Sequence, residues 1–307
     1  MKTVLITGVA GFIGRYAARY FSRQGWKVIG TDNSPPENAP IADLAIYQRL
    51  QLPTREFQSL LQTHNPDTLI HCAGRASVAL SVAEPSADFY SNTVLTFNLL
   101  EALRLNIPAC KFIFLSSAAV YGNPLSLPID ETYPVAPISP YGFHKLQGEQ
   151  ICLEFAKIYN QPTASIRIFS AYGAGLRRQV MWDICQKAIS QKTLLLQGTG
   201  KESRDFIHAL DIAKALMLVS DRAPMKGEVY NLGIGKEVTI FELSKIVLRS
   251  LGKKSVPLFD GVVPTGNPIN WRANISKIES IGFSPTVQLE QGITNFANWC
   301  KAELMDI

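Results

Sequence analysis

A glycine-rich segment near the N-terminus constrains the fold of this chain more than any other feature. In TGVAGFIG, the glycines Gly8, Gly11 and Gly14 stand between the apolar run KTVLITG, which predicts a buried strand, and residues 12–24, which predict an amphipathic helix. Gly8 permits a tight turn, Gly11 lets the main chain approach a pyrophosphate, and Gly14 lets the helix pack closely on the strand. The helix N-terminus offers free N–H groups to the phosphates. This context indicates a dinucleotide site, with a glycine turn lacking any ligand as the alternative.

The remaining pattern indicates an α/β fold. Short apolar runs alternate with helical patterns through the first half of the chain, which predicts parallel strands with right-handed crossovers in a doubly wound sheet. After about residue 173 the pattern loosens and helical segments dominate. We therefore expect a dinucleotide-binding domain at 1–173, with 205–235 returning to it, and a smaller α-rich substrate domain made of 174–204 and 236–307.

Composition excludes several classes of function. Of the 307 residues, 47% are hydrophobic and 18% are charged, which suits a packed core and argues against disorder. The formal charge of +5 is modest, so nucleic acid is not an expected partner. No apolar stretch approaches the roughly 18 residues that would indicate a membrane span, and glycines interrupt the N-terminal run. We therefore expect neither membrane insertion nor export, and predict a cytoplasmic protein.

Cysteines and histidines are predicted to be structural. The five cysteines are scattered, odd in number and without metal-ligand spacing, so we expect buried, reduced thiols and no metal site. His71 and His208 are predicted to be packed residues. His144 is predicted to face away from any site. The cysteines are Cys72, Cys110, Cys152, Cys185 and Cys300.

Asp32 suggests which dinucleotide the chain would bind. It ends the second predicted strand, WKVIGTDN, 18 residues beyond Gly14. A carboxylate at that point can accept hydrogen bonds from both hydroxyls of an adenosine ribose and would repel a 2′-phosphate. No arginine adjoins it in the sequence, which favours NAD over NADP. A turn-forming aspartate is the alternative.

A tyrosine and a lysine could supply acid/base chemistry. Tyr141 and Lys145 lie four positions apart in SPYGFHK, at the start of a helix predicted over 141–160, and so share one face. A hydroxyl gives hydride to nicotinamide only as its proton leaves, and a free tyrosine with a pKa of about 10 is too weak a base at neutral pH. We expect Lys145 and the cationic nicotinamide to lower that pKa by about three units, which requires about 4 kcal/mol.

A serine strand supports this interpretation. The strand predicted for KFIFLSSAAVYG ends at Ser116 and Ser117, and Ser117 is expected to hydrogen-bond the reacting oxygen. The alternative is that Tyr141 and Lys145 are only neighbours on a surface helix. The glycine segment, Asp32 and the serine strand in one chain favour the catalytic unit.

Together these motifs resemble the extended short-chain dehydrogenases/reductases, in particular the NAD-dependent nucleotide-sugar epimerases and dehydratases. HCAG at 71–74 resembles the strand that lines the cofactor in that family, and EPSADFYSNTVLTFNLLEALR resembles its P…N…GT-x-NLLEA helix, with Asn92 as the matching asparagine. SRDFIHALDIAKA at 203–215 resembles its RDFIHV-x-D-x-A-x-A segment, whose arginine, Arg204, would face a nucleotide diphosphate. The resemblance spans almost the whole chain.

The resemblance implies a Rossmann-type fold, bound NAD and a nucleotide-diphosphate sugar as substrate. Dehydratases and decarboxylases of the family carry acids after the catalytic serine, whereas Ala118 and Ala119 can move no proton. The resemblance therefore favours a 4-epimerase, with a UDP-sugar first, which oxidises C4 and returns the hydride to the other face. A ketosugar reductase, a dehydratase and a non-catalytic dinucleotide sensor are the alternatives. Apolar faces of the helices predicted at 86–106 and 141–160 suggest a homodimer.

Three family positions differ in this chain. The usual asparagine of R-x-x-N is Ser170, the adenine-contacting D-L pair reads Gln51-Leu52, and R-x-G-D reads Pro264-Thr265-Gly266-Asn267. Without the arginine of R-x-G-D, the chain would lose charge-assisted hydrogen bonds to phosphate. Arg177, Arg178 or Arg272 could replace that arginine.

The predicted site has three parts and contains no metal ligands. The catalytic residues are Ser117, Tyr141 and Lys145. The cofactor-binding residues are Gly8, Gly11, Phe12, Ile13, Gly14, Asp32, Asn33, Gln51, Leu52, Ala73, Gly74, Asn92, Ser116, Tyr141, Lys145 and Phe169. The substrate-binding residues are Arg75, Ser117, Ala118, Ala119, Ser170, Arg204 and Arg272.

Overall fold

The structure, a computed structural model, describes residues 1–262 and 268–305. The strands are β1 (Thr3–Thr7), β2 (Lys27–Asp32), β3 (Ile46–Arg49), β4 (Thr68–His71), β5 (Lys111–Ser117), β6 (Thr163–Ile168), β7 (Ser170–Tyr172), β8 (Leu195–Leu196), β9 (Ser203–His208), β10 (Lys226–Leu232), β11 (Glu237–Thr239) and β12 (Leu258–Phe259). The α-helices are α1 (Phe12–Arg23), α2 (Arg55–His64), α3 (Val78–Ala83), α4 (Pro85–Phe89), α5 (Leu95–Asn106), α6 (Pro140–Tyr159), α7 (Gln179–Ser190), α8 (Ala209–Arg222), α9 (Ile240–Ser250), α10 (Ser276–Glu279) and α11 (Leu289–Met305).

Seven parallel strands form the main sheet, in the order β3-β2-β1-β4-β5-β6-β10. The strands are apolar because both faces of the sheet are covered, and Val4, Leu5 and Ile6 of β1 are fully buried. The chain order reverses between β1 and β4. At such a switch point the carboxyl ends of neighbouring strands open a crevice.

Helices cover both faces of this sheet. On one face α1 and α8 bury apolar side chains such as Phe21 and Leu216. On the other, α2 and α5 bury side chains such as Leu61 and Leu103. The doubly wound α/β fold predicted from the sequence is therefore confirmed.

The C-terminal part is mainly helical. Helices α7, α9 and α11 pack around a third apolar cluster that includes Ile184, Leu243 and Phe296. A three-stranded sheet, β7-β9-β11, and a two-stranded sheet, β8-β12, border this cluster. Strand β10 lies in the main sheet beside β6, and α8 packs against α1.

The helix predicted over 86–106 differs from the structure. Helices α4 and α5 are joined by a π-helical turn, Tyr90–Val94, and the unpredicted helix α3 precedes them. The turn directs Asn92 inward, where its Nδ2 donates a hydrogen bond to the carbonyl of Arg75 at 3.1 Å. Such π turns inside helices are frequent at functional sites.

Neither a membrane helix nor a metal cluster is found in the described part of the chain. Within residues 1–262 and 268–305, the helices are too short or too polar to cross a membrane. The same residues contain no group of three or more His, Cys, Asp or Glu side chains placed to hold a metal ion.

Candidate active site

The glycine segment forms a tight cradle at the carboxyl end of β1. Gly8 has φ +67°, and a Cβ on it would lie 2.5 Å from the amide nitrogen of Ala73. A Cβ on Gly14 would lie 2.3 Å from the carbonyl oxygen of Gly8. Helix α1 begins at Phe12, and among the described residues no side chain caps its N-terminus at Gly11. Its first N–H groups are therefore available to an anion.

Asp32 ties this cradle to the end of β2. Its Oδ2 accepts a hydrogen bond from the amide of Ala10 at 3.0 Å, and its Oδ1 accepts one from the amide of Ser34 at 2.9 Å. The sequence places no arginine beside Asp32, but the register of β2 and β3 places Arg49 opposite it. The Nε of Arg49 donates to the carbonyl of Asn33 at 3.0 Å.

Tyr141, Lys145 and Ser117 converge at the carboxyl end of β5. Helix α6 starts at Pro140 because the Ser139 hydroxyl caps it, accepting from the amide of Gly142 at 3.2 Å. The Lys145 Nζ lies 4.9 Å from the centre of the Phe114 ring and 5.8 Å from that of Tyr141. The Ser117 side chain lies close enough to the Tyr141 phenol to influence its pKa.

The two ionisable groups respond to burial in opposite directions. Burial raises the pKa of the Tyr141 phenol above 10.0, while the Ser117 side chain and the charge of Arg178 lower it. Burial lowers the pKa of Lys145 to about 8. Below pH 8 Lys145 therefore remains an ammonium, which is the form that favours a Tyr141 phenolate. The lowering of the Tyr141 pKa by Lys145 and a bound nicotinamide stays a prediction.

Two predicted cofactor residues turn their side chains away from this point. The Ser116 hydroxyl donates to the Glu149 carboxylate, which is ion-paired with Arg167, because successive side chains of β5 face opposite sides of the sheet. Phe169 is buried with its ring centre 6.2 Å from that of Trp271.

The loop after β4 is held by Asn92. Gly74 has φ +132°, and a Cβ on it would lie 2.8 Å from the Asn92 Oδ1. That oxygen is buried and has no hydrogen-bond partner among the described residues. Ala73 and Gly74 therefore adjoin a polar atom that a ligand or water can satisfy.

The remaining predicted cofactor residues lie at the start of α1 and just after β2 and β3. Phe12 and Ile13 are the first residues of α1 and are partly buried. The Asn33 Nδ2 lies 3.4 Å from the Gln51 Oε1, so these two residues are together at the end of β2. Leu52 is partly buried against the apolar cluster of α2 and α5.

Arg204 is already engaged by main-chain carbonyls. Its guanidinium donates to the carbonyl oxygens of Ser203, Pro268 and Ile269 at 2.8–2.9 Å and lies 5.4 Å from the centre of the Trp271 ring. Burial lowers its pKa to about 10. Arg204 thus fixes the chain at 268–271, which the sequence motif did not indicate.

The other substrate candidates are spread around the crevice. Arg75 is ion-paired with Glu84 at 2.7 Å, and the buried Nε of Arg272 has no partner among the described residues. Ser170 begins β7 and is partly buried, while Ala118 and Ala119 are buried in a 3₁₀ turn. The segment Pro264-Thr265-Gly266-Asn267 lies outside the described residues.

Arg178 was only one of three candidate arginines in the sequence, and the structure separates them. Arg177 is ion-paired with Glu303. Arg178 donates to the carbonyl of Ala76 at 3.0 Å, and its charge acts on Tyr141. A loop turn brings Arg178 to the site, and no local sequence pattern predicted that proximity.

The histidines occupy three different environments. His71 is buried with its Nδ1 2.9 Å from the Thr7 hydroxyl, and burial lowers its pKa to about 3. His208 caps α8 through its Nδ1. The Nδ1 of His144 lies 2.6 Å from the Oδ2 of Asp88, a buried residue.

Comparison with known proteins identifies the family. The sequence profile of the NAD dependent epimerase/dehydratase family matches residues 4–233. The chain belongs to this family. A putative UDP-glucose 4-epimerase of Methanocaldococcus jannaschii is 31% identical, over 97% of this chain and 98% of the relative. The UDP-glucose 4-epimerase of Halalkalibacterium halodurans is 29% identical, over 97% of this chain and 95% of the relative.

Solved structures of epimerases share the fold. The UDP-glucose 4-epimerase of Thermotoga maritima with UDP-glucose gives a TM-score of 0.89 at 27% identity, covering 98% of this chain and 99% of the other. The UDP-glucuronic acid 4-epimerase of Bacillus cereus, in complex with UDP-glucuronic acid and NAD, gives a TM-score of 0.89 at 27% identity, covering 98% of this chain and 99% of the other. The family predicted from the motifs is confirmed.

The residues present fit NAD, on which this epimerase/dehydratase family depends. The uncapped N-terminus of α1 suits a pyrophosphate, and the glycine cradle leaves no room for side chains between β1 and β4. Asp32 stands at the end of β2, where an adenosine ribose can donate to it. The unpaired Asn92 Oδ1 adds a buried acceptor beside Gly74.

Proposed function

We propose that this protein is an NAD-dependent 4-epimerase of UDP-sugars, with Tyr141 as its general acid and base. The observation that carries the proposal is the convergence of Tyr141, Lys145 and Ser117 at the carboxyl end of β5. The next positions, Ala118 and Ala119, bear no acid that could eliminate water. Relatives and neighbouring structures named as UDP-glucose, UDP-glucuronic acid and UDP-N-acetylglucosamine 4-epimerases support the substrate class.

Each catalytic residue has a defined role in this proposal. When bound, NAD accepts the hydride of C4 and later returns it. Ser117 hydrogen-bonds the C4 oxygen, and Tyr141 removes the hydroxyl proton as the carbon is oxidised. The Lys145 ammonium stabilises the Tyr141 phenolate and holds the nicotinamide ribose. After the ketosugar has rotated to present its other face, Tyr141 gives the same proton back, so no proton is lost to solvent.

The binding residues divide between cofactor and substrate. The amides of Phe12 and Ile13 are proposed to hold the pyrophosphate of NAD beside Gly11, whose own amide donates to the Gly8 carbonyl, and Asp32 is proposed to hold its adenosine ribose. Arg272 is proposed to contact the substrate diphosphate, because its buried Nε retains a free donor among the described residues. Arg204 is proposed to shape that subsite through its carbonyl contacts.

The test is a panel of UDP-glucose, UDP-N-acetylglucosamine and UDP-glucuronic acid, incubated with the purified protein without added cofactor. A product of unchanged mass and inverted C4, identified by NMR, supports the proposal. Loss of water would indicate a dehydratase. A gain of two hydrogens that requires added NADPH would indicate a ketosugar reductase. Bound NAD without turnover of any sugar nucleotide would indicate a dinucleotide sensor.

The wider assignments follow from the same proposal. We place the NAD-binding domain at 1–173 with 205–235, and the substrate domain at 174–204 and 236–307. We also propose that the protein is cytoplasmic, which suits its free cysteines, and that it has no nucleic acid or membrane partner. These boundaries put the proposed catalytic residues in the first domain.

We further propose a homodimer through α5 and α6. Both helices expose large apolar side chains on one side, including Phe97, Phe143 and Ile158, the last of which is 67% exposed. Replacing Ile158 with glutamate is expected to shift the protein toward monomer in sedimentation analysis, because a carboxylate cannot be desolvated at a packed seam. Leu125→Glu is the control. Leu125 lies outside α5 and α6 and is 98% exposed, so its change should leave assembly unaltered. Equal sedimentation of both variants and the unsubstituted protein would contradict this seam.

A further inference from the structure

The packing of α4 against α6 brings a second ionisable pair beside the proposed catalytic residues. Asp88, on α4, is fully buried, and its Oδ2 lies 2.6 Å from the Nδ1 of His144, on α6. The His144 side chain is 12% exposed and stands between Tyr141 and Lys145 in the sequence. The other carboxylate oxygen, Oδ1, is buried without a hydrogen-bond partner among the described residues. A buried carboxylate that is only half satisfied requires positive charge nearby.

Asp88 is the carboxylate that most affects Lys145. Burial lowers the pKa of Lys145 to about 8, and the charge of Asp88 is the strongest influence in the opposite direction. Glu149 also faces Lys145, but its charge is compensated by an ion pair with Arg167 at 2.7 Å. The other titratable groups around Lys145 come from two places. Tyr141 and Cys152 belong to α6, and His71 and Cys72 lie at the end of β4. The charge of Arg178, before α7, acts on the neighbouring Tyr141.

The charges of four groups before and after hydride transfer indicate what the Asp88 carboxylate contributes to the proposed reaction. Before hydride transfer, the Tyr141 phenolate and Asp88 carry two negative charges, and the Lys145 ammonium and the oxidised nicotinamide carry two positive charges. Afterwards Tyr141 is protonated and the nicotinamide is neutral, which leaves only the ammonium and the carboxylate. The charges of these four groups therefore sum to zero in both states, and without Asp88 they would sum to one positive charge. Excess buried charge is costly and is relieved when a group loses its proton.

We propose that Asp88, oriented by His144, is a positioning residue that keeps Lys145 in the ammonium form through both halves of the reaction. This inference rests on the proposed epimerase function. Without the carboxylate, Lys145 loses its proton at lower pH, and Tyr141 loses the cation that favours its phenolate.

The direct test follows the charge of Lys145 in the protein without added substrate. Asp88→Asn keeps the size of the side chain and an oxygen that accepts from His144, and it removes only the negative charge. NMR of the full chain labelled with ¹³C-lysine, with the Lys145 signal assigned by Lys145→Met, gives the titration midpoint. We expect a midpoint near 8 in the unsubstituted protein, and a decrease of about one pH unit or more in Asp88→Asn.

Two further variants separate charge from packing. Glu154→Gln removes a carboxylate from the exposed side of the same helix and should leave the midpoint unchanged. His144→Gln keeps both the Asp88 carboxylate and a donor to it, so the midpoint should not fall. If Asp88→Asn does not fold, Asp88→Ser removes the charge and leaves room for a water beside His144. An unchanged midpoint in the Asp88 variants, or an equal fall in His144→Gln, would overturn the proposal.

The pH dependence of turnover connects this result to the reaction. In Asp88→Asn the alkaline limb of the kcat profile should move to lower pH by the same interval as the Lys145 midpoint, because the ammonium is required for turnover. If Asp88→Asn lowers the Lys145 titration midpoint but the unsubstituted protein converts no UDP-sugar, only the proposed function is overturned. If the protein is an active epimerase but Asp88→Asn leaves the Lys145 midpoint unchanged, only the role of Asp88 is overturned.

Discussion

Tyr141→Phe is expected to lower kcat by a factor of about 10² to 10⁴ while NAD stays bound. The substitution removes only the phenolic oxygen, so the ring remains packed against the core cluster beside the sheet. Without that oxygen the C4 proton loses its proposed acceptor, since Ser117 is too weak a base and Ala118 and Ala119 carry no proton-transfer group. The rate of C4 inversion, followed by NMR, measures the loss.

Tyr159→Phe provides the matched control. Tyr159 is the last residue of the same helix, is 44% exposed and lies at the opposite end from Tyr141. Its change should leave both turnover and bound NAD unaltered. Undiminished epimerisation by Tyr141→Phe would contradict the acid/base role, and loss of NAD together with activity would point to a structural role for the phenol.

Gly8→Ala is expected to empty the cofactor site and to reduce the free energy of unfolding by about 2–4 kcal/mol. Gly8 has φ +67°, which a side chain disfavours, and its Cβ would lie 2.5 Å from the Ala73 nitrogen and 2.7 Å from the Cys72 carbonyl carbon. Because both neighbours are main-chain atoms, β1 and the loop after β4 must separate. NAD released by acid extraction of the purified protein measures occupancy, and urea unfolding measures stability.

Gly25→Ala separates backbone strain from the clash. Gly25 follows α1 with φ +78°, but no described atom lies within 4 Å of a Cβ built on it. Only the strain of about 1–2 kcal/mol remains, so bound NAD should be retained. Equal loss of NAD in the two variants would show that the close approach of Gly8 to Ala73 is not what forms the cradle.

The sequence predicted the features that depend on local spacing. A glycine cradle needs three glycines between a strand and a helix, and helix α1 begins at Phe12 as that pattern requires. The Tyr141–Lys145 spacing places both residues on one face of α6. The alternation of apolar runs and helices also specified the doubly wound sheet, because buried parallel strands leave a clear apolar signal.

Features that depend on distant contacts were not predictable in the same way. The π turn at Tyr90–Val94 accompanies a hydrogen bond from Asn92 to the Arg75 carbonyl, which helical periodicity does not encode. The motif identified Arg204, but its carbonyl partners Pro268 and Ile269 lie more than sixty positions away.

Protonation also depends on burial, which the sequence does not specify. The pairing of Tyr141 with Lys145 suggested that the lysine lowers the phenol pKa. The structure buries Lys145 enough to lower its own pKa to about 8 while raising that of Tyr141. The effect of Asp88 on Lys145 depends on the packing of α4 against α6. The sequence does not indicate that packing, since the two residues of the Asp88–His144 pair are 56 positions apart.

The central claim is that the hydride removed from C4 of the sugar returns to that same carbon after Tyr141 has held the proton. Deuterium at C4 of the UDP-sugar that the panel identifies tests this claim most directly. We predict a C4-inverted product that retains its deuterium at C4, formed in ordinary water without added cofactor. A product that has exchanged the C4 label for solvent hydrogen, or that is inverted at another carbon, would contradict the claim.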